Sequence, residues 1–259
     1  MDEVTISRAI TESFMKDFME AMEVEAAVVG AGPSGLVAAH YLAKAGVKTA
    51  VFERQLRVGG GMPGGGMMFN RIVLQKEGKE ILAEFGVRTT VYKRGYYIAD
   101  ALEAISALCT AAIRSGAKIF NLMTVEDIMI RGDRRVSGLV LQWSAVNLAK
   151  LHVDPLTVRA KVVIDATGHD SEICHILVRK TGPKLKTATG GVVGEKSMWA
   201  AKGEADLVTN TIEVYPGLIV AGMAANAVLG SPRMGAIFGG MLISGKRAAE
   251  LAQTIVKKG

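Results

Sequence analysis

The sequence predicts an α/β protein with three layers, and two features carry this prediction. Short, mostly apolar runs typical of buried strands alternate with longer segments in which apolar residues recur at helical spacing. The first such unit has a strand at 24–29, a helix at 34–45 and a second strand at 48–53. A glycine-rich turn joins the first strand to the helix. This order predicts a parallel sheet and a Rossmann-like fold of the kind that binds FAD or NAD(P).

The rest of the chain continues the pattern and adds a hairpin. The run at 125–131 and its partner at 136–142 predict a small inserted β hairpin or sheet. A glycine-dense segment at 59–66 predicts a close-approach loop. We expect one domain over residues 1–259. The other predicted elements are helices at 75–85, 98–115 and 237–256, strands at 118–122, 162–165 and 218–221, and a mobile loop at 181–196.

The segment at 5–22 predicts an amphipathic helix, because its apolar residues recur every four positions. Such a face needs a partner to pack against. The body of the same domain and a neighbouring subunit are both open to it. The apolar positions are Ile6, Ile10, Phe14, Phe18 and Met22.

Composition narrows the class of protein. The net charge of +6 comes from scattered basic residues, and only 5% of the 259 residues are aromatic. We therefore expect phosphate ligands rather than nucleic acid. No apolar run reaches the roughly 20 residues of a membrane span, and acidic residues stand where a signal peptide would be basic. We expect a cytoplasmic protein that has no membrane partner and needs no disulfide, since its two cysteines make no framework.

The strongest motif is Gly30-Ala31-Gly32-Pro33-Ser34-Gly35. Gly30 permits a tight turn, Gly32 lets the backbone approach a pyrophosphate, and Gly35 lets the helix lie against the strand. The helix N-terminus then offers free N–H groups to the phosphates. A glycine turn that only packs a helix is the alternative.

An acid at the end of the second strand supports the nucleotide interpretation. Glu53 follows Gly35 by 18 residues, where a carboxylate can accept hydrogen bonds from both ribose hydroxyls. That placement disfavours a 2′-phosphate. We therefore expect NAD or FAD rather than NADP.

Later segments bear on the choice between FAD and NAD. The strand and turn at 162–168, which end in Ala-Thr-Gly, resemble those of two-dinucleotide flavoproteins, as does the strand at 217–222. Those flavoproteins usually place an acid after the second strand, whereas Gly222 is followed here by Met223. The chain is also short for a second nucleotide domain.

Taken together, the motifs resemble the thiamine thiazole synthase family over nearly the whole chain. They include His152-Val153-Asp154-Pro155, Gly168-His169-Asp170 and Pro232-Arg233-Met234-Gly235. The archaeal members that use free sulfide are the most similar. The resemblance implies a flavoprotein-like fold that takes NAD as a substrate. It implies removal of nicotinamide, condensation with glycine, and addition of sulfur to give an adenylated 4-methylthiazole carboxylate.

The resemblance also implies site residues. Arg233 would bind the glycine carboxylate, which its planar guanidinium matches. Asp154 and His169 would bind Fe(II), with open positions for substrate and sulfide. Those two ligands make a weak site alone, and the resemblance implies a site built across two subunits of a homo-octamer. The residues implied to line the nucleotide are Ser34, Glu53, Arg54, Gly61, Val125, His152, Val153, Asp154 and Met223.

Alternatives remain for these residues. Arg233 can be a surface arginine paired with an acid. Asp154 before Pro155 can be a turn residue, and His169 can cap the helix that follows. Cys174 is an alternative sulfur donor, because a thiol near a helix start and His175 can be activated. Sulfide is our hypothesis.

Two other functions compete with the synthase. The glycine loop and the Ala166-Thr167-Gly168 turn are equally compatible with a small FAD-dependent oxidoreductase. A non-catalytic protein that binds NAD or sugar phosphates is the weaker rival.

Overall fold

The computed structural model describes residues 1–132 and 134–258. Positions 133 and 259, which the predicted domain includes, lie outside the described residues. The N-terminal βαβ unit is present as predicted: β1 (Glu23–Val29), α2 (Pro33–Lys44) and β2 (Thr49–Glu53). β1 and β2 pair in parallel with Val28 opposite Val51. Their side chains are almost wholly buried, as expected for a central parallel sheet.

One eight-stranded sheet organises the molecule. Its strand order is β10-β11-β9-β1-β2-β6, and the β7–β8 hairpin joins it through β9. The predicted α/β class is therefore confirmed. The additional strands are β6 (Lys118–Asn121), β7 (Met123–Arg131), β8 (Arg135–Trp143), β9 (Leu156–Asp165), β10 (Glu213–Tyr215) and β11 (Leu218–Val220).

Strand β9 is longer than predicted and has three neighbours. One edge pairs in parallel with β1. The other edge pairs with β8 over Leu156–Arg159 and with β11 over Val163–Asp165. β9 therefore connects the hairpin to the central sheet, and its carboxyl end lies beside the ends of β1 and β11. In open α/β sheets, ligands bind at such carboxyl ends.

A second, three-stranded sheet was not predicted. It has the order β3-β5-β4 and consists of β3 (Arg71–Leu74), β4 (Thr89–Lys93) and β5 (Tyr96–Asp100). The prediction of a helix from residue 98 was wrong over its first three residues. The helix begins at Ala101, because Asp100 caps it by accepting hydrogen bonds from Leu102 N and Glu103 N.

Helices cover the sheet. α2 and the last helix, α9 (Gly239–Lys258), pack against each other and against the central strands. The crossing is close, since a Cβ on Gly245 of α9 would lie 2.4 Å from Ser34 O. The remaining helices are α3 (Lys76–Glu84), α4 (Ala101–Arg114), α5 (Ser144–Ala149), α6 (Glu172–Thr181), α7 (Ala200–Asn210) and α8 (Met223–Leu229). In the described parts of the chain, every helix falls short of the length or apolarity that crossing a bilayer requires.

The predicted N-terminal helix is α1 (Glu3–Ala21). Its second half packs on the body of the same chain, where Phe18 is buried and contacts Phe120 edge-on at 5.4 Å. Its first half leaves Ile6 and Ile10 exposed. Only part of the apolar face is therefore covered within one chain.

Candidate functional site

The glycine loop between β1 and α2 has the geometry that its spacing predicts. Gly30 has φ +98°, and a Cβ there would lie 2.5 Å from Ala166 O. A Cβ on Gly35 would lie 2.0 Å from Gly30 O, so α2 can approach the loop only with glycine at this position. A Cβ on Gly32 would meet nothing within 4 Å. The backbone at Gly32 is therefore open to a ligand such as a pyrophosphate.

Ser34 lies in the first turn of α2, but its hydroxyl is already used. Ser34 Oγ donates to Met241 O at 2.8 Å, and the residue is buried. This bond holds α2 against α9. Ser34 therefore faces a ligand with its backbone rather than with a free hydroxyl.

Glu53 ends β2, and its carboxylate is held by two backbone groups. Oε2 accepts from Ala31 N, and Oε1 accepts from Gln55 N, each at 2.8 Å. Glu53 thereby fixes the glycine loop. Each oxygen retains a lone pair, so the carboxylate can still accept hydrogen bonds from a ribose.

Arg54 forms two ion pairs that the sequence did not predict. Its guanidinium donates to Asp170 at 2.9 Å and to Glu172 at 2.5 Å. Burial raises the pKa of Glu172, and the charge of Arg54 opposes that shift. The positive charge of Arg54 is therefore balanced by two carboxylates next to Glu53, the predicted ribose-binding acid.

A cavity of about 580 Å³ lies over the carboxyl ends of the strands. Its volume is typical of small-ligand sites. It brings together most of the predicted residues, from five separate parts of the chain. Those that line it are Gly30, Gly32, Ser34, Glu53, Arg54, Gly61, Val125, His169, Met223 and Arg233. Gly35 packs behind the loop, as its predicted role requires.

His169 lies in a short 3₁₀ turn at Gly168–Asp170, four residues after the end of β9. Its Nδ1 is 2.7 Å from Glu195 Oε1. An ionised carboxylate only accepts hydrogen bonds, so Nδ1 carries a proton in this contact, and in a neutral ring Nε2 then keeps a free lone pair. A neutral imidazole in this form is a suitable metal ligand.

Arg233 is exposed in the segment that precedes α9, and its backbone is fixed. Arg233 N donates to Lys196 O at 3.1 Å, and Trp199 N donates to Arg233 O at 3.0 Å. We call residues 193–199 the strap. The predicted loop at 181–196 forms no helix or strand beyond the last residue of α6, and its end belongs to this strap.

The structure separates the 152–154 segment from the other predicted residues. His152, Val153 and Asp154 are exposed and do not line the cavity. Gln142 Nε2 donates to Val153 O at 2.9 Å and anchors the segment near the end of β8. Asp154 lies just before β9, and His169 follows the other end of that strand. Ten residues of strand at about 3.3 Å each place the two ends roughly 30 Å apart.

This separation bears directly on the predicted metal site. An imidazole and a carboxylate suit Fe(II) in type, and His169 has a free nitrogen that fits such a role. Over residues 1–132 and 134–258, however, one chain gathers no cluster of three or more histidine, cysteine or acidic side chains suited to a metal ion. Asp154 and His169 of one chain lie too far apart to share an ion. A partner chain must therefore supply one of them if both are ligands.

Cys174 lies in α6 with its side chain fully buried. Burial raises the pKa of its thiol well above the usual range, and the charge of the neighbouring Asp165 adds to the shift. Asp165 is itself buried and accepts hydrogen bonds from Thr167 and from Cys174 N. Thiolate formation is therefore opposed, which disfavours Cys174 as a sulfur donor.

Sequence reasoning missed two side chains at this site, Glu195 and Glu172, and did not predict that Asp170 pairs with Arg54. Asp170 belongs to a motif that was recognised and Glu172 follows it, and their proximity to Arg54 depends on how the turn after β9 meets the end of β2. Glu195 comes from a loop without periodicity. The sequence holds no local signal for any of these pairings.

Comparison with known proteins identifies the family. The Thi4 family profile matches residues 7–238. The thiamine thiazole synthase of Methanothermobacter thermautotrophicus is 61% identical over 251 residues, which cover 97% of each chain. That of Pyrococcus horikoshii is 53% identical, with 99% of this chain and 98% of the relative covered.

Solved structures agree with the profile and with the fold. The crystal structure of THI4 from Thermovibrio ammonificans superposes with a TM-score of 0.97 at 52% identity, covering 99% of both chains. A geranylgeranyl bacteriochlorophyll reductase-like protein from Thermoplasma acidophilum has a TM-score of 0.58 at 16% identity over 91% of this chain and 79% of that one. The second likeness supports the fold alone, and the predicted Rossmann-like, flavoprotein-type fold is confirmed. The chain belongs to the Thi4 family of thiamine thiazole synthases.

Proposed function

We propose that the chain makes adenosine diphosphate 5-(2-hydroxyethyl)-4-methylthiazole-2-carboxylate from NAD, glycine and sulfide, with Fe(II). The observation that carries this proposal is the single cavity that holds the glycine loop, His169 and Arg233 together. A nucleotide lying on the loop would bring its nicotinamide ribose towards His169 and Arg233. Family membership supports the reaction class.

Each part of the cavity has a task in this reaction. The loop at 30–35 holds the pyrophosphate on the N-terminus of α2, and Glu53 accepts hydrogen bonds from the adenosine ribose. Arg233 binds the glycine carboxylate through its guanidinium fork. The ADP part thus stays fixed while the far ribose reacts.

Fe(II) is proposed to lie between His169 of one subunit and Asp154 of its neighbour. When bound, it supplies a Lewis acid that acidifies hydrogen sulfide and orients it without a net redox change. The distance along β9 supports a site shared between two chains. We extend the proposal to a homo-oligomer, an octamer in size, whose contacts bring the 152–154 segment of one subunit to the nucleotide of another.

Free sulfide is the proposed sulfur donor. The burial of Cys174 supports this choice, because a thiol that does not ionise is a poor donor.

The purified protein tests the proposal directly. With NAD, glycine, sulfide and Fe(II) under anaerobic conditions, it should release nicotinamide and form an adenylated thiazole, both measured by chromatography with mass detection. Asp154→Ala and His169→Ala should bind NAD but form no product. Absence of product from the wild-type protein would refute the proposal, and bound flavin absorbance would favour the FAD-dependent oxidoreductase.

A further inference from the structure

We propose that Glu195 is a positioning residue that fixes the tautomer and orientation of His169, so that Nε2 is presented to the cavity. The inference deepens the proposed function, since it rests on His169 being a ligand or contact of the reacting groups. Its geometric part stands on the structure of the chain alone.

The contact between the two side chains is direct and partly shielded. Glu195 Oε1 lies 2.7 Å from His169 Nδ1, and the Glu195 side chain is 18% exposed against 47% for His169. His169 lines the cavity whereas Glu195 does not. The carboxylate therefore approaches the ring from outside the cavity and leaves the second nitrogen for it.

Glu195 lies in the strap, whose backbone is held by hydrogen bonds on both sides of this residue. Val193 N donates to Val228 O at 3.1 Å, and Gly194 N donates to Ala227 O at 2.9 Å. On the other side, Lys196 N donates to Ser231 O at 3.1 Å. The backbone on either side of Glu195 is thus fixed to the end of α8 and the residues after it. A carboxylate on a fixed backbone can orient a ring that is itself half exposed.

This arrangement matches a general device of metal sites. A histidine that binds a metal through one nitrogen commonly donates its other N–H to a carboxylate, which sets the ring orientation and raises ligand basicity. Here the same strap also fixes the Arg233 backbone through Lys196 and Trp199. Glu195 thereby links the orientation of His169 to the residue proposed to bind glycine.

The tautomer provides a test that needs neither metal nor turnover. In metal-free, full-length protein labelled with ¹⁵N-histidine, solid-state NMR should show the proton of His169 on Nδ1, with the His169→Ala spectrum used for assignment. In Glu195→Ala it should shift to Nε2, the form that free imidazole side chains prefer. A proton on Nε2 in the wild-type protein, or an unchanged tautomer in the variant, would overturn the proposal.

Metal titration tests the consequence. Glu195→Ala should weaken binding of Co(II) or Fe(II) by about 10- to 100-fold, while the affinity for NAD and the unfolding temperature stay unchanged. Glu195→Gln should retain more affinity, because its carbonyl oxygen still accepts the Nδ1 proton. Glu20→Gln, an exposed change on α1, is the control for charge and should bind as the wild type does.

The two proposals fail in different ways. If the wild type binds metal and Glu195→Ala binds it with equal affinity, the positioning role is overturned. If the wild type shows the Nδ1–H tautomer but binds no metal and releases no nicotinamide, the positioning of His169 holds and the proposed reaction is refuted.

Discussion

At the scale of single residues, the site is defined by which polar groups are already occupied. Each carboxylate oxygen of Glu53 already accepts one hydrogen bond from the backbone, and the Ser34 hydroxyl already donates to Met241 O. Arg54 is paired with two acids. A ligand therefore meets only the hydrogen-bonding capacity that each group has left.

The Arg54 pairs should set the preference for NAD over NADP. A 2′-phosphate beside Glu53 would need the Arg54 guanidinium, which Asp170 and Glu172 hold. Asp170→Asn combined with Glu172→Gln should therefore raise the affinity for NADP relative to NAD by about tenfold, or ~1.4 kcal/mol. Calorimetric titration of both nucleotides measures the ratio.

Glu23→Gln is the matched control for this experiment. It removes a carboxylate that pairs with Arg159 at 2.6 Å on the surface. Its NADP to NAD ratio should equal that of the wild type. An unchanged ratio in the double variant would assign the preference to Glu53 alone.

Cys174 should be dispensable for sulfur transfer. Cys174→Ala should form product with sulfide, and its stability should fall by about 1 kcal/mol because a buried sulfur is lost from the core. Cys109→Ala, which removes the other free thiol, is the matched control. A loss of roughly 34 Da from wild-type Cys174 after turnover, the mass of hydrogen sulfide leaving as cysteine becomes dehydroalanine, would contradict this prediction.

At the scale of elements, the sequence predicted the parallel strands and missed the small sheet. The central strands are short runs buried on both faces, which is a strong signal. β4 is largely exposed, and β5 runs directly into α4 without a turn. β4 and β5 pair with each other across residues 94–95, and β5 also pairs with β3. Periodicity alone does not mark where β5 ends and α4 begins, so it assigned residues 98–100 to the helix.

The contact between α7 and α9 contains a buried acid. Glu204 Oε1 accepts from Gly240 N at 2.6 Å at the start of α9. Within the described chain, Glu204 Oε2 and Gln75 Oε1 are buried without a hydrogen-bond partner. Burial raises the pKa of Glu204 above its ordinary value of 4.5, and the hydrogen bond from Gly240 N opposes the shift.

A change of Glu204 to glutamine should therefore stabilise the fold at neutral pH. Because the folded-state pKa is raised, the contribution of Glu204 to stability is complete below about pH 4.5 and is lost as the pH rises through the folded-state value. Glu204→Gln removes the buried charge and lets its amide donate to Gln75. The free energy of unfolding should rise by about 1 kcal/mol at neutral pH.

Denaturant titrations at several pH values check this prediction. The difference between Glu204→Gln and the wild type should shrink as the pH falls towards 4.5. Glu20→Gln, whose side chain is exposed, should show no such trend. If the free energies of unfolding of Glu204→Gln and the wild type depend on pH in the same way, the buried charge of Glu204 does not destabilise the fold.

At the scale of the whole molecule, one chain brings most of the predicted site residues together but leaves Asp154 apart from them. The predicted residues that line the cavity come from five parts of the sequence, and the convergence at the ends of β1, β2, β9 and β11 was predictable from the parallel sheet. The distance between Asp154 and His169 was not predictable, because the full length of β9 was not visible. Only the apolar run at its end, residues 162–165, gave a signal.

Mixed oligomers should reveal a site built from two chains. Asp154→Ala and His169→Ala should each be inactive, yet subunits dissociated and reassembled at a 1:1 ratio should recover about one quarter of wild-type activity, the statistical share of sites with both residues intact. Activity after mixing without dissociation is the control. Recovery of no activity, with oligomers formed, would contradict a site shared between two chains.

The length of β9 has a further consequence for the cell. If the two ligands come from different chains, a newly synthesised, unassembled subunit can bind NAD but cannot add sulfur to complete the thiazole. Completion of the product would then depend on correct assembly. The ten residues of one strand would act as a spacer that makes quaternary structure a condition for the whole reaction.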